Sequence, residues 1–418
     1  MMAVSLVNWT TSCLCHCLRS HGRTGAGRRN GACGTAISGK ALVMSVVLVL
    51  AAVSRVVVSG EPAGESAWPS ANDMEAVLAE IDRTYPFFDL KGIRADWDER
   101  KKRVLEEIQD CTTDQEFSEL FIELGRCLRD AHLGPRNMKL EFAGPPRTYY
   151  PAVAFLPATE DRVIVLAARD DLSTDLKPGT VVAEIDGVDA REFLEERAKA
   201  VWKAGGFFSS PQRARMLEYR IPLKGEEGET HTVTILAGEK KELELTADTQ
   251  ARGWPHTYNM PEGLTQAGRL CRFGRLSSGV GYLYLRGVDP SVEEVIDKAT
   301  ETHGDVRGWI VDLRGNGGGG YGPSLQAKLG TLPKPVACLI DAGCMSAGET
   351  LARDIVRACD ARLFGEKTGG ASSAKRIWDF PSGMGSVSLP TRTRWGIDGR
   401  AIEYFGIDPH VKVEAVPE

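Results

Sequence analysis

From Gly274 to the C-terminus, short apolar runs alternate with helical stretches, and no other feature limits the fold as strongly. Val280 to Leu285, Gly308 to Leu313, Pro335 to Asp341 and Ala361 to Phe364 read as strands. Val292 to Thr300 and Ala347 to Cys359 read as helices. Strands that are apolar throughout need cover on both faces, and intervening helices supply it, so this half is expected to be an α/β unit around a buried sheet. At 418 residues the chain has room for more than one domain, and 42% hydrophobic residues exclude a chain disordered throughout.

Upstream the period changes twice. Met74, Val77, Leu78 and Ile81, then Val104 and Ile108, then Phe117, Leu120, Phe121 and Leu124 recur at helical spacing. Thr112-Thr113-Asp114 supplies cap candidates for the last run, so three helices are expected, ending at Arg129-Asp130-Ala131-His132. Between Tyr150 and Thr246 the pattern becomes short β-rich runs: Val163 to Leu166, Val181 to Ile185 and Thr232 to Leu236. Leu176-Lys177-Pro178-Gly179-Thr180, followed by Glu184-Ile185-Asp186-Gly187, resembles the turn–strand–turn stretch of PDZ domains, which present a sheet edge to extended peptides.

Residues 1–60 look like an address. Six Lys/Arg and no Asp or Glu occur there; the basic residues Arg19 to Lys40 precede the apolar run Ala41 to Val53, and small residues follow. That order is the layout of a secretory signal, and Arg55 interrupts the run before it reaches membrane-spanning length. An uncleaved leader would be the one route to membrane attachment. Without the leader, 45 basic residues face 57 acidic ones, a balance that argues against nucleic acid as a partner. Of ten cysteines, Cys111, Cys127, Cys271, Cys338, Cys344 and Cys359 follow the leader. None has metal-site spacing, and an oxidising compartment would permit a bridge or two.

Four stretches carry residues suited to chemistry. In Asp341-Ala-Gly-Cys-Met-Ser346-Ala347-Gly-Glu349 a strand ends, a turn follows and a helix begins, a corner that exposes a serine hydroxyl beside free helix amides. The same Ser346-x-x-Glu349 also reads as a capping box. Asp312-Leu-Arg-Gly-Asn316-Gly-Gly318-Gly-Gly320 follows a buried strand and lets backbone amides turn toward an anion. Gly315-x-Gly317-x-x-Gly320, with Asp341 near a ribose-binding position, also fits a dinucleotide loop, although Pro323 sits where the phosphate-facing helix should be under way. The remaining two are Arg129-Asp-Ala-His132-Leu-Gly134 and Glu403-Tyr-Phe-Gly406-Ile-Asp-Pro409. Alone, His132 fits a helix-end partner and Glu403 a solvated charge.

Together and in this order, the four stretches resemble the tail-specific (C-terminal-processing) and tricorn-core serine peptidases. Asp312 to Gly319 is similar to the family's D-x-R-x-N-x-G-G, Ser346 to Glu349 to its S-A-x-E, Gly365-Glu366-Lys367-Thr368 to its G-E-x-T, and Glu403 to Pro409 to its closing motif. The resemblance implies an α/β chain with a crotonase-like (ββα) peptidase core at 270–418, after an N-terminal helical bundle at 71–135 and a PDZ-like β-rich domain at 150–250.

Two departures bear on mechanism. The tail-specific branch has a dyad lysine where this chain has Ala371, with Lys367 and Lys375 in other registers. The tricorn-like branch uses serine with histidine and glutamate, and often a serine where this chain has Ala131. The resemblance therefore implies Ser346 as nucleophile, His132 as general base, Glu403 as the group that orients the histidine, and the amides of Gly318 and Ala347 as an oxyanion hole. It implies peptide or unfolded-protein substrates, needs no metal or organic cofactor, and leaves oligomeric state open. A histidine base predicts activity falling below a pH of about 6.5. The alternative is a non-catalytic carrier on the same fold, as in the retinoid-binding protein of the interphotoreceptor matrix, which resembles this family too.

Overall fold

A computed structural model describes residues 71–140, 147–251, 258 and 260–417; the leader read at 1–60 and His256 lie outside them. Among the described residues no helix is long and apolar enough to cross a membrane.

The alternation after Gly274 becomes a seven-stranded sheet. Its order is Thr265–Ala267, Cys271–Arg275, Gly281–Leu285, Trp309–Asp312, Val336–Ile340, Arg362–Gly365 and Val411–Lys412. The first two pairings are antiparallel and the remaining ones parallel. Helices Ser291–Thr302, Pro323–Leu329 and Ala347–Cys359 contribute to a core with Leu283, Val311, Cys338 and Leu363 from the sheet. The opposite face buries Tyr282, Tyr284, Ile310, Leu339 and Phe364. The molecule is thus mixed α/β, with each central strand buried along its whole length.

Tyr150 to Thr246 forms an antiparallel sheet in the order Val153–Pro157, Val163–Ala168, Val181–Ile185, Thr230–Ala237 and Glu239–Thr246, with its own core. The strand pattern missed two helices here, Ala190–Ala204 and Pro211–Arg220. Both begin on side-chain caps: Asp189 accepts from the Arg191 and Glu192 amides, and Ser210 from that of Arg213.

The helical segment runs Ala71–Thr84, Phe88–Lys91, Arg94–Glu107 and Asp114–Leu128. Thr113 caps the last helix in a reciprocal box with Glu116. The helix ends at Arg129 in the left-handed region (φ 47°), which turns the chain toward His132. This segment does not close its own core. Phe380, Val387 and Leu389 complete it, and they come from the antiparallel hairpin Ser373–Asp379 and Ser386–Thr393. The short strand Gly134–Arg136, directly after His132, pairs with that hairpin, Gly134 opposite Ser388. All six cysteines after the leader are free thiols.

Leu351 is fully buried on the inner face of Ala347–Cys359. Leu351→Ala should cost about 3 kcal/mol through lost burial and a residual cavity, read as a lower urea midpoint with unchanged slope.

Candidate active site

Ser346 sits where strand Val336–Ile340 hands over to helix Ala347–Cys359, at φ 54°, ψ −123°. A non-glycine residue in that region is strained, and the surroundings must enforce it. They do so by hydrogen bonds: the Ser346 N–H donates to Ala371 O at 2.9 Å, and the Ser372 hydroxyl donates to Ser346 O at 3.0 Å. The capping-box expectation fails, because the Ser346 side chain makes no cap hydrogen bond. Its partner in that box, Glu349, is fully buried and turns away. It accepts from the Thr368 hydroxyl at 2.6 Å, the Gly370 N–H at 2.8 Å and the Ala371 N–H at 3.0 Å. Burial pushes its carboxyl up to about 7 against the pull of these donors.

The glycine loop closes the other side. Asp312 accepts from the Arg314 N–H and guanidinium, and Asn316 donates to Leu285 O at 2.7 Å while its own backbone O accepts from Met345. This explains D-x-R-x-N as scaffolding: it presses the loop on the serine corner. A Cβ on Gly318 would lie 2.7 Å from Ser346 Cβ, and one on Gly348 would lie 2.7 Å from Asn316 O. The Gly318 N–H donates to Asn316 Oδ1 at 2.9 Å, so the loop already employs that amide. The Ala347 N–H, first in its helix, has no carbonyl a turn earlier to bond.

The dinucleotide alternative is excluded by the direction of Asp341. Its carboxylate turns inward, accepting from Gly315 N–H at 2.8 Å and Gly343 N–H at 3.0 Å, bonding the Tyr258 hydroxyl and pairing with Arg220 at 3.4 Å. No ribose could reach an acid so engaged.

His132 Nε2 lies 2.9 Å from Ser346 Oγ. The backbone that carries the ring is anchored: Asp130 Oδ1 accepts the His132 backbone N–H at 2.8 Å, and Ser209 Oγ accepts that of Ala131 at 2.9 Å. Ala131 therefore occupies a backbone-anchoring place. Burial pulls the imidazolium down to about 4, helped by the positive charges of Lys375, Arg213 and Lys91 and opposed by Asp130.

Glu403 is fully buried in a non-helical kink (φ −53°, ψ 131°). It makes no direct hydrogen bond to His132 among the described contacts; its Oε1 accepts from Lys91 Nζ at 2.7 Å. A ring nitrogen of His132 and one oxygen each of Asp130 and Glu403 nevertheless lie within 4.8 Å of one another. That spacing suits a cation, and the cation beside both acids is the Lys91 ammonium. Neither Lys91 nor Ser209 stands out in the sequence, since each lies in a stretch without a motif. Asp130 is visible in Arg129-Asp-Ala-His132, though only as a neighbour.

Loop 368–371 joins these parts. Tyr404 N–H donates to Gly370 O, Thr368 N–H to Ile407 O, and Gly369 N–H to Cys344 O. Residues 321–413, which hold Ser346, Glu349, Thr368 and Glu403, match the model of peptidase family S41. The likeness to S41 serine peptidases is thus placed on this C-terminal segment. No curated protein sequence matches it. Among solved structures, mature CPAF complexed with lactacystin is similar over 83% of this chain and 94% of its own, at 14% identity and TM-score 0.55. Mature CPAF alone is similar at 14% identity and TM-score 0.53, over 83% and 93%. The photosystem II D1 C-terminal processing protease overlays more loosely, at TM-score 0.41 and 16% identity over 82% and 90%. At these identities the CPAF likeness is one of fold alone, extending over most of this chain.

Glu349→Ala would orphan three buried donors. A loss of at least about 3 kcal/mol is expected at roughly 1–3 kcal/mol per orphan, measured by urea denaturation.

Proposed function

We propose that the chain hydrolyses peptide bonds in extended or unfolded polypeptides, with Ser346 as nucleophile, His132 as general base and then acid, and Glu403 as the remote carboxylate. The 2.9 Å approach of His132 Nε2 to Ser346 Oγ carries this reading. Ser346 Oγ attacks the scissile carbonyl carbon while its proton passes to Nε2. The oxyanion forms beside the Ala347 N–H, and the Gly318 amide joins it only by releasing Asn316 Oδ1. Collapse expels the amine, which takes the proton from His132, and water then hydrolyses the acyl-enzyme by the same route. With Ala371 in the register of the dyad lysine and its carbonyl bonded to Ser346, a Ser–Lys mechanism has no support here.

The finer architecture belongs to the same proposal: a crotonase-like core at 270–418, a helical bundle at 71–135 and a PDZ-like unit at 150–250. The antiparallel sheet with two helices supports the last, and a role in holding polypeptide substrate follows from its edge strands. Export to a secreted or periplasmic location rests on the charge and apolar order of residues 1–60. N-terminal sequencing of the cell-derived protein should then begin near residue 60, and an intact Met1 in exported protein would refute a cleaved leader.

Ser346→Ala and His132→Ala should each abolish hydrolysis of an unfolded protein and labelling by a fluorophosphonate, with melting temperature little changed. Labelling that persists in Ser346→Ala would remove the nucleophile assignment, and failure of the native protein to label would favour the carrier. Because burial lowers the His132 imidazolium, the acidic limb of activity should fall below the pH of about 6.5 expected of a free imidazole. A rate profile against pH measures its midpoint, and a midpoint above 6.5 contradicts this environment.

A further inference from the structure

The scheme above leaves one buried cation without a role. Lys91 closes the short helix Phe88–Lys91, and its side chain is wholly buried. Its ammonium lies 2.7 Å from Glu403 Oε1, 3.4 Å from Asp130 Oδ2, 2.7 Å from Arg129 O and 3.0 Å from the Tyr85 hydroxyl. The rings of Tyr85 and Phe87 flank it at 5.7 and 5.5 Å. Removing an ammonium from water this completely is costly, and a purely structural plug would be cheaper as an apolar side chain. The two acids it bridges are those beside the His132 ring.

We propose that Lys91 is a positioning residue for His132: it keeps Asp130 and Glu403 ionised together behind the ring. This rests on the Ser346–His132 reading above. Two carboxylates this close, without a cation, share a proton. With the ammonium between them the three groups carry one net negative charge, the counter-charge an imidazolium needs when it takes the serine proton. Burial and Asp130 push the Glu403 carboxyl up, and Lys91 opposes both. The other charges facing the ring are Arg213, from helix Pro211–Arg220, and Lys375, from the hairpin. Both are positive, and Arg213 also feels the charge of Glu403, but the ammonium in direct contact with that carboxylate is Lys91. Asp130 also accepts from the Tyr85 hydroxyl at 3.0 Å, which fixes its second oxygen toward the ammonium.

The partners of this bridge predict opposite effects. In Lys91→Met, Glu403 keeps a proton to higher pH, and His132 loses a neighbouring positive charge. In Asp130→Asn, the ammonium serves Glu403 alone and the ring loses a negative neighbour, while the amide oxygen can still accept the His132 backbone N–H. The measurement is the second-order rate of fluorophosphonate labelling at Ser346 across pH, on the full chain. The acidic midpoint should rise by about one pH unit in Lys91→Met, with labelling recovering at alkaline pH, and fall in Asp130→Asn. Midpoints unmoved in both variants, or moved in the same direction, would overturn the proposal. If Lys91→Met does not fold, Asp130→Asn decides: a lower midpoint supports the bridge and an unchanged one refutes it. His132→Ala, run in parallel, separates the two levels. Full labelling there removes the base assignment itself, whereas loss of labelling there with unmoved midpoints elsewhere removes only the role of Lys91.

Discussion

The Glu349 carboxylate is the joint on which the site depends. It accepts from Thr368, Gly370 and Ala371, and so straps the helix that follows Ser346 to loop 368–371. That loop holds the strained Ser346 backbone through Ala371 O and carries the Glu403 segment through Gly370 O and Thr368. A serine at φ 54° is maintained because several hydrogen bonds from both neighbouring segments would break together if it relaxed. One buried acid therefore sets Ser346 and Glu403 in a common frame.

The histidine arrives by a different route. His132 is 214 residues from Ser346, and the chain between them forms the β-rich unit and five of the seven strands of the main sheet. The connection is made by the hairpin 373–393, which leaves the site next to Ser372, pairs with Gly134–Arg136 and sends Phe380, Val387 and Leu389 into the helical core. Packing of that core and the placement of His132 are thus one structural event. Electrostatics completes it, because a buried imidazole with buried acids behind it needs its charges balanced, and Lys91 lies between the acids.

Strand and helix positions in the main sheet were legible because buried parallel strands are apolar throughout and end in glycine turns; Ala347–Cys359 matches its expected span. The helices Ala190–Ala204 and Pro211–Arg220 escaped notice because they lie between β-rich runs, and their sparse apolar positions give a weak period. The capping-box reading of Ser346 failed for a tertiary reason. Three donors on loop 368–371 satisfy Glu349 better than one amide on its own helix, and no local pattern reveals them. The resemblance implied only that the Gly318 amide serves an oxyanion hole, whereas its close approach to Ser346 and the engagement of its N–H by Asn316 came from the tertiary structure.

Local chemistry, then, is written in the chain: a serine at a strand-to-helix corner, glycines where backbones must touch, a histidine after a helix and an acid in a late turn. Periodicity and turn residues act over a few positions, so one dimension suffices to read them. Which of these groups meet, and which cation stands between Asp130 and Glu403, was settled by long-range packing. Lys91 looks like any exposed lysine until folding removes the water around it, and burial then makes its charge matter.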